Sequence, residues 1–163
     1  MKARHFIILT LAGASVAVGA VVALQEGDRT SPPPAAAGLL LPGFIDRVNE
    51  VDRLTVRSAS DGQVTLERKG ERWSVVERHH YPADLEKVRP VLLQVAQLKT
   101  VEALTANPDL HKRLQVEAVD APDSASVRLT AAQGGAVLAG LVVGKTRADS
   151  RPGVFVRKAD EAR

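Results

Sequence analysis

Residues Ala139–Thr146 read AGLVVGKT, which satisfies the relaxed phosphate-loop pattern of Ala or Gly, four residues, then Gly-Lys-Thr. Such a loop holds phosphate because its backbone N–H groups wrap the anion and a helix begins at the lysine. Neither requirement is met by these residues. Gly140-Leu141-Val142-Val143 is strand-prone rather than flexible. Arg147–Gly153 reads RADSRPG, a turn-rich run that cannot form a helix of useful length. The segment is read as a strand ending at a Gly-Lys turn, with no nucleotide as cofactor or partner.

Other reactive side chains are no better arranged. His79 and His80 are adjacent. On an extended chain they would point to opposite faces and could not share one metal ion. His111 and the scattered carboxylates add no ligand spacing. Asp84 and Glu86 lie two apart, which on a helix does not bring carboxylates together. They read as first-turn acids that suit the helix dipole. No serine sits in a Gly-x-Ser-x-Gly elbow. The chain has no cysteine, which removes disulfides, thiol catalysis, Cys-ligated zinc and a lipid-bearing anchor. No catalytic, cofactor-binding or metal residue is therefore assigned, and the chain is read as not an enzyme. The pI near 9.5 invites a nucleic-acid reading. The charges are interspersed, however, and no stretch holds five of one sign, so no nucleic-acid partner is expected.

The elements that would position these residues begin after an apolar block. Residues 6–24, FIILTLAGASVAVGAVVAL, are nineteen residues without a charge. As a helix they would be about 28 Å long, close to the hydrocarbon thickness of a bilayer. Lys2 and Arg4 precede the run, and Glu26 and Asp28 lie beyond it. Positive charge stays inside, so residues 1–5 are read as a cytoplasmic N-terminus and 6–24 as a transmembrane anchor. A cleaved signal peptide is the rival reading, with small-residue sites near Val18-Gly19-Ala20 or Val21-Val22-Ala23. Either reading exports the residues after Leu24. Residues 25–38 form a linker containing TSPPPAAAG, whose prolines favour a stiff polyproline II spacer. The expected location is the inner (cytoplasmic) membrane, crossed once, with the domain in the periplasm or extracytoplasmic space.

Residues 39–163 have the size of one α+β domain. With few aromatic residues, its core must be mostly Val, Leu and Ala. Phe44–Val51 is a short amphipathic turn or helix. Leu54–Arg57, Val64–Glu67 and Trp73–Val75 alternate or run apolar between turn signals, predicting an antiparallel meander with Trp73 inward. Leu85, Val88, Val91, Leu92, Val95 and Leu98 make one helical stripe. Pro82 stands near its start, and Pro90 should bend or weaken it unless it lies in the first turns. Asn107–Leu114 predicts a second, shorter helix with Asn107 as cap and Pro108 at the first position. Val127–Thr130, Ala136–Val143 and Val154–Arg157 predict a second meander, with Ala136–Val143 apolar enough to be a central strand covered on both faces. The expectation is two three-strand meanders with intervening helices packed on the sheet, a layout that argues for an internal repeat.

Several segments together resemble the bacterial domain of unknown function 4340 (DUF4340) family. They are the apolar anchor, the Pro/Ala linker, LLLPGFIDRVNEVDRLTVR, and WSVVERHHYPADLEKVRPVLLQVAQLKTVEALTANPDLHKRLQV. The most specific parts are YPAD-x-x-KVR at Tyr81–Arg89, TANP at Thr105–Pro108, and VGK followed by a VR-ending strand at Val143–Arg157. The resemblance covers essentially the whole chain and brings no catalytic signature. It implies a membrane-anchored accessory of ABC-type exporters related to gliding-motility transport systems. Members usually run longer, so by this resemblance the chain is a shortened member or a fragment. The reading that results is a non-catalytic, membrane-tethered accessory or interaction module of an ABC-type export complex, with the membrane and a transporter subunit as partners. The alternative is an envelope domain that binds a sugar, lipid or peptide.

Overall fold

The computed structural model describes residues 38–102, 107–148 and 153–160. The expected anchor and nearly all of the linker lie outside the described residues. Among the described residues no helix is long and apolar enough to cross a membrane.

Alternation of apolar and polar residues sets the first meander, as expected. Strand β1 is Arg53–Ser58, β2 is Gly62–Lys69 and β3 is Arg72–Val75. Two further residues, Tyr81–Pro82, pair with β3 as a short β4 that the sequence did not announce. The second meander is β5 (Val127–Gln133), β6 (Ala136–Thr146) and β7 (Val154–Lys158). Gly134 and Gly135 join β5 to β6 with φ of 55° and 88°, the mirror-image turn that matches strand twist.

The two meanders do not form separate sheets. β1 pairs antiparallel with β5, setting Leu54 opposite Ala131 and Val56 opposite Leu129. Among the described residues the result is one seven-stranded antiparallel sheet in the order β4-β3-β2-β1-β5-β6-β7. Kept apart, each meander would leave an inner edge of unpaired N–H and C=O groups. A three-strand unit would also be too small to hold a core of its own. The tripeptide Arg-Leu-Thr occurs in β1 at 53–55 and again in β5 at 128–130, and both leucines are buried. The halves thus share layout and a local sequence about the β1–β5 seam.

One face carries the main core. Helix α1 (Phe44–Arg47) continues into a 3₁₀ turn at Val48–Glu50, burying Phe44, Val48 and Val51. Helix α2 (Leu85–Gln97) begins at Asp84, whose side chain accepts from the Glu86 N–H at 3.0 Å. Asp84 is therefore the cap itself rather than a first-turn acid. Val88, Leu92, Val95 and Ala96 pack against Leu54, Trp73, Leu129, Ala131 and Leu141 in one cluster. The expected stripe holds from Val88 onward and fails at Leu85, which is 47% exposed. Leu85 stands in the first turn beside the two-residue β4, where too little sheet is present to cover it. Pro90 lies inside α2 on an exposed position, and the helix continues to Gln97. Its missing N–H falls on the solvent side, where water can serve the freed carbonyl.

The second helical segment crosses the opposite face. Asn107 accepts from Asp109 N–H and caps a 3₁₀ turn at Pro108–Leu110, which runs into α3, His111–Leu114. Beyond it Val116 and Val119 are buried, as is Val142, which points away from the α2 side of the sheet. The crossing is close at Gly144. A Cβ there would sit 2.7 Å from Val116 Cγ1 and 2.8 Å from the Gln115 carbonyl oxygen, which only glycine avoids. This crossing supplies the second cover expected for Ala136–Val143, while the strand's place in the sheet differs from the expectation. The strand runs on to Thr146 and lies one place from the sheet edge, not at its centre. Its middle is covered on both faces, but Val137 at its start is 65% exposed.

Leu92→Ala should destabilise the chain by about 2–5 kcal/mol, because it empties a buried site between helix and sheet. Arg89→Ala, on the exposed side of α2, should cost under about 0.5 kcal/mol. Urea unfolding followed by fluorescence of Trp73, the single tryptophan and 5% exposed, measures both. Equal losses would mean that the helix presents another face to the sheet.

Candidate functional site

Among the described residues, the corner where β3 turns into β4 is where two consecutive non-glycine residues take positive φ. After Val75 the chain makes a 3₁₀ turn at Val76–Arg78. His79 and His80 then take consecutive left-handed conformations, with φ of 54° and 56°. A left-handed residue other than glycine costs roughly 1–2 kcal/mol. The two histidines are thus turn residues, not the extended neighbours expected. Both are exposed, and the His80 Nδ1 lies 3.4 Å from Ser74 Oγ. His111 stands apart on α3, and among the described residues no three metal-ligating side chains gather.

Glu77 holds this turn against the sheet. Its Oε2 accepts from the Thr65 N–H at 2.8 Å. The β2–β3 ladder stops at the pair Leu66–Val75, so the carboxylate stands where the next strand carbonyl would be. Gln63 donates to the Thr65 hydroxyl at 3.2 Å, and Thr65 itself is buried. Partial burial pushes the Glu77 pKa up. Hydrogen bonds from the Thr65 N–H, the Thr65 hydroxyl and its own N–H outweigh it, leaving the carboxyl below its ordinary value.

The same corner exposes apolar surface. Tyr81 is 59% exposed and sits directly opposite Val75. Val76 follows Val75, and Leu85 opens α2 just after the Asp84 cap. Val64 lies on the Leu66 side of β2, one period along, and is also exposed. The Ala83 N–H donates to the Trp73 carbonyl at 2.8 Å, which fixes the approach of Tyr81–Pro82 to the sheet edge. An amphipathic tyrosine, three aliphatic side chains and two histidines offer contact area and hydrogen bonding. At the corner the Ser74 hydroxyl and the His80 imidazole stand 3.4 Å apart, a long contact, and among the described residues no carboxylate hydrogen-bonds to that imidazole.

Other sequence motifs stand elsewhere. Ala139–Thr146 is continuous β6 backbone, Lys145 is exposed on it, and no helix begins there. Its Gly-Lys lies within the strand, not at a turn. Asp84 and Glu86 are joined through the helix cap and do not face one another. Two of the open depressions among the described residues lie on the sheet. One, of about 290 Å³, is lined by a satisfied network in which Arg53 and Lys69 meet Glu67, and Asp52 accepts from Gly134 N–H at 2.7 Å. The other, of about 610 Å³, lies beside Arg57, Ser58, Gln63 and Asp120. There Arg57 faces Arg128 across the β1–β5 seam, and the Arg57–Asp120 ion pair offsets the like charge.

Among the described residues the structure is an antiparallel sheet clad by α2 on one face and a crossing segment on the other, with an exposed apolar corner at β4. The family model for Domain of unknown function (DUF4340) matches residues 73–163, more than half of the chain, and the chain belongs to this family. The match begins at Trp73 and takes in the corner, α2 and strands β5 to β7. No curated protein and no solved structure matches the chain.

The depressed Glu77 pKa means that its contribution to stability is fully present above the unfolded-state value and is lost as pH falls through the folded-state value. Urea midpoints of the wild type and of Glu77→Gln should therefore differ most near neutral pH and converge in acid. A constant difference across that range would show that the carboxylate's charge contributes nothing at Thr65.

Proposed function

We propose that this chain is a non-catalytic, membrane-tethered, extracytoplasmic interaction module that docks on a subunit of an ABC-type exporter. The observation that carries the reading is the exposed apolar corner of Val76, Tyr81 and Leu85, which is tied to the sheet by the Glu77–Thr65 bond and to α2 by the Asp84 cap. Surface tyrosine and aliphatic side chains grouped on a rigid support are what protein interfaces use as anchors. Tethering is supported by the uncharged run at 6–24 and the basic residues before it. The exporter as partner is supported by the family resemblance.

A second reading is an envelope domain that binds a sugar, lipid or peptide. The depression beside Arg57, Ser58 and Gln63 favours it, since those side chains offer hydrogen bonds to a polar ligand.

Purification of the full chain in mild detergent separates these readings. The docking reading expects an exporter membrane subunit, identified by mass, in near-stoichiometric amount. It also expects the Tyr81→Ala, Leu85→Ala double variant to lose that subunit by about tenfold or more while keeping the wild-type urea midpoint, since truncating interface anchors costs about 2 kcal/mol or more. An exporter subunit retained by the double variant would overturn the corner as the docking site. A small molecule that co-purifies with no protein would favour the second reading.

A further inference from the structure

The chain enters the fold beside the end of α2. The Leu40 N–H donates to the Leu98 carbonyl at 2.7 Å, and the Thr100 N–H donates to the Gly38 carbonyl at 2.9 Å. These two bonds flank the antiparallel pair Leu39–Lys99. A pair flanked in this way holds its side chains close together. Leu40 and Leu98 pack against the core, so Leu39 and Lys99, one residue along on each segment, turn away from it. Both are exposed. Val101, two residues beyond Lys99, is 53% exposed.

The outer side of α2 leads to this pair. Arg89, Leu93 and Gln97 are all exposed and stand four residues apart, which stacks them in one row along the helix. The row ends two residues before Lys99. Charge on this side is unbalanced. Among the described residues neither Arg89 nor Lys99 meets a carboxylate, whereas Lys87 pairs with Asp84 at 3.6 Å and Glu102 with Arg147 at 3.2 Å. Glu86 stands in the first turn, toward the far end of the helix.

We propose that this surface of Leu39, Arg89, Leu93, Lys99 and Val101 rests on the headgroup layer of an anionic phospholipid membrane. The inference rests on the membrane tether proposed above and not on an exporter as partner. Only thirteen residues, 25–37, separate the apolar run ending at Leu24 from Gly38. At about 3.5 Å each they reach no further than about 45 Å, so the entry point is the part of the fold whose distance from the bilayer is most tightly capped. Tethering also converts lipid contact into an intramolecular event at roughly millimolar effective concentration, where a weak contact suffices.

The chemistry of the surface fits that partner. Leu39, Leu93 and Val101 offer aliphatic side chains to the acyl boundary. Arg89 and Lys99 can lay their stems along apolar surface and extend their charged heads to phosphate oxygens. Attraction of each basic residue to an anionic leaflet acts within about a Debye length, so it needs the contact that the tether provides. Tyr81, an aromatic side chain suited to a protein interface, lies at the opposite end of α2 beside Leu85. The thirteen residues of α2 separate the docking corner from the lipid-facing end by about 20 Å.

The cysteine-free sequence permits a direct test. The full chain carrying Val101→Cys is labelled with a fluorophore and placed in vesicles of phosphatidylcholine and phosphatidylglycerol that contain a headgroup-level lipid quencher. A second sample is labelled at Val137→Cys, 65% exposed on β6 and outside this surface. Flotation shows separately whether the chain is tethered. The expected result is a floating chain with strong quenching at position 101, little at position 137, and loss of the difference in pure phosphatidylcholine. Lys99→Gln should lower the ratio of docked to undocked chains about fivefold, the share of one basic residue at an anionic surface. A floating chain quenched equally at both positions, or quenched at 101 regardless of lipid charge, overturns the proposal and leaves the tether standing. Self-quenching between position-101 labels on different chains, without lipid quenching, would assign the surface to a second copy and also overturn it. A chain that does not float overturns the tether and this proposal with it.

Discussion

Pairing of β1 with β5 is the constraint on which the rest depends. It joins segments far apart in sequence through a six-residue ladder from Arg53–Ala132 to Ser58–Val127. Without it neither meander has a full sheet for α2 to cover, because the buried face of α2 touches residues from both. Leu54 and Leu129, from the shared Arg-Leu-Thr, stand on either side of this seam and are both buried. Burial of such side chains is worth roughly 1.5–3 kcal/mol each, but only when both halves are in place. The seam therefore makes two locally simple units into one cooperative domain.

The seam also sets a problem on the opposite face and the crossing segment answers it. In-register pairing places Arg57 opposite Arg128. Asp120, carried over that face by residues 115–126, takes Arg57, while Arg128 reaches the Ala159 carbonyl at 3.5 Å. The ion pair is exposed and contributes little alone. More stabilisation comes from Val116, Val119 and Val142, which the crossing buries, and from Ser126, fully buried, whose hydroxyl lies 2.9 Å from that of Ser124. Gly144 is what lets the backbone approach closely enough. This gives a physical meaning to the glycine of the VGK motif, which has the letters of a phosphate loop and the role of a close-contact strand position.

Local elements were legible in the sequence because their causes are local. Period-two alternation gave β1, β2 and β5, and the helical stripe gave α2 from Val88 on. The Asn107-Pro108 pair gave the start of the second helical segment. What the sequence did not reveal depends on distant contacts. Nothing near Leu85 says that the sheet beneath it is only β4, and nothing near Glu77 says that its carboxylate completes the ladder at Thr65. The joining of the two meanders was equally hidden, since strand alternation does not specify a partner. His79 and His80 were misplaced for a related reason: only glycine or asparagine advertises a left-handed turn, and neither is present there. The apolar corner was legible only as the motif YPAD, without its exposure.

Native-state hydrogen exchange tests the joined sheet most directly, because it reports which amides open together. The account predicts that Leu54–Val56 in β1 and Leu129–Ala131 in β5 exchange slowest, in one class with the buried turns of α2, and only through global unfolding. Separate opening of β5, β6 and β7 while β1, β2 and β3 stay protected would contradict it.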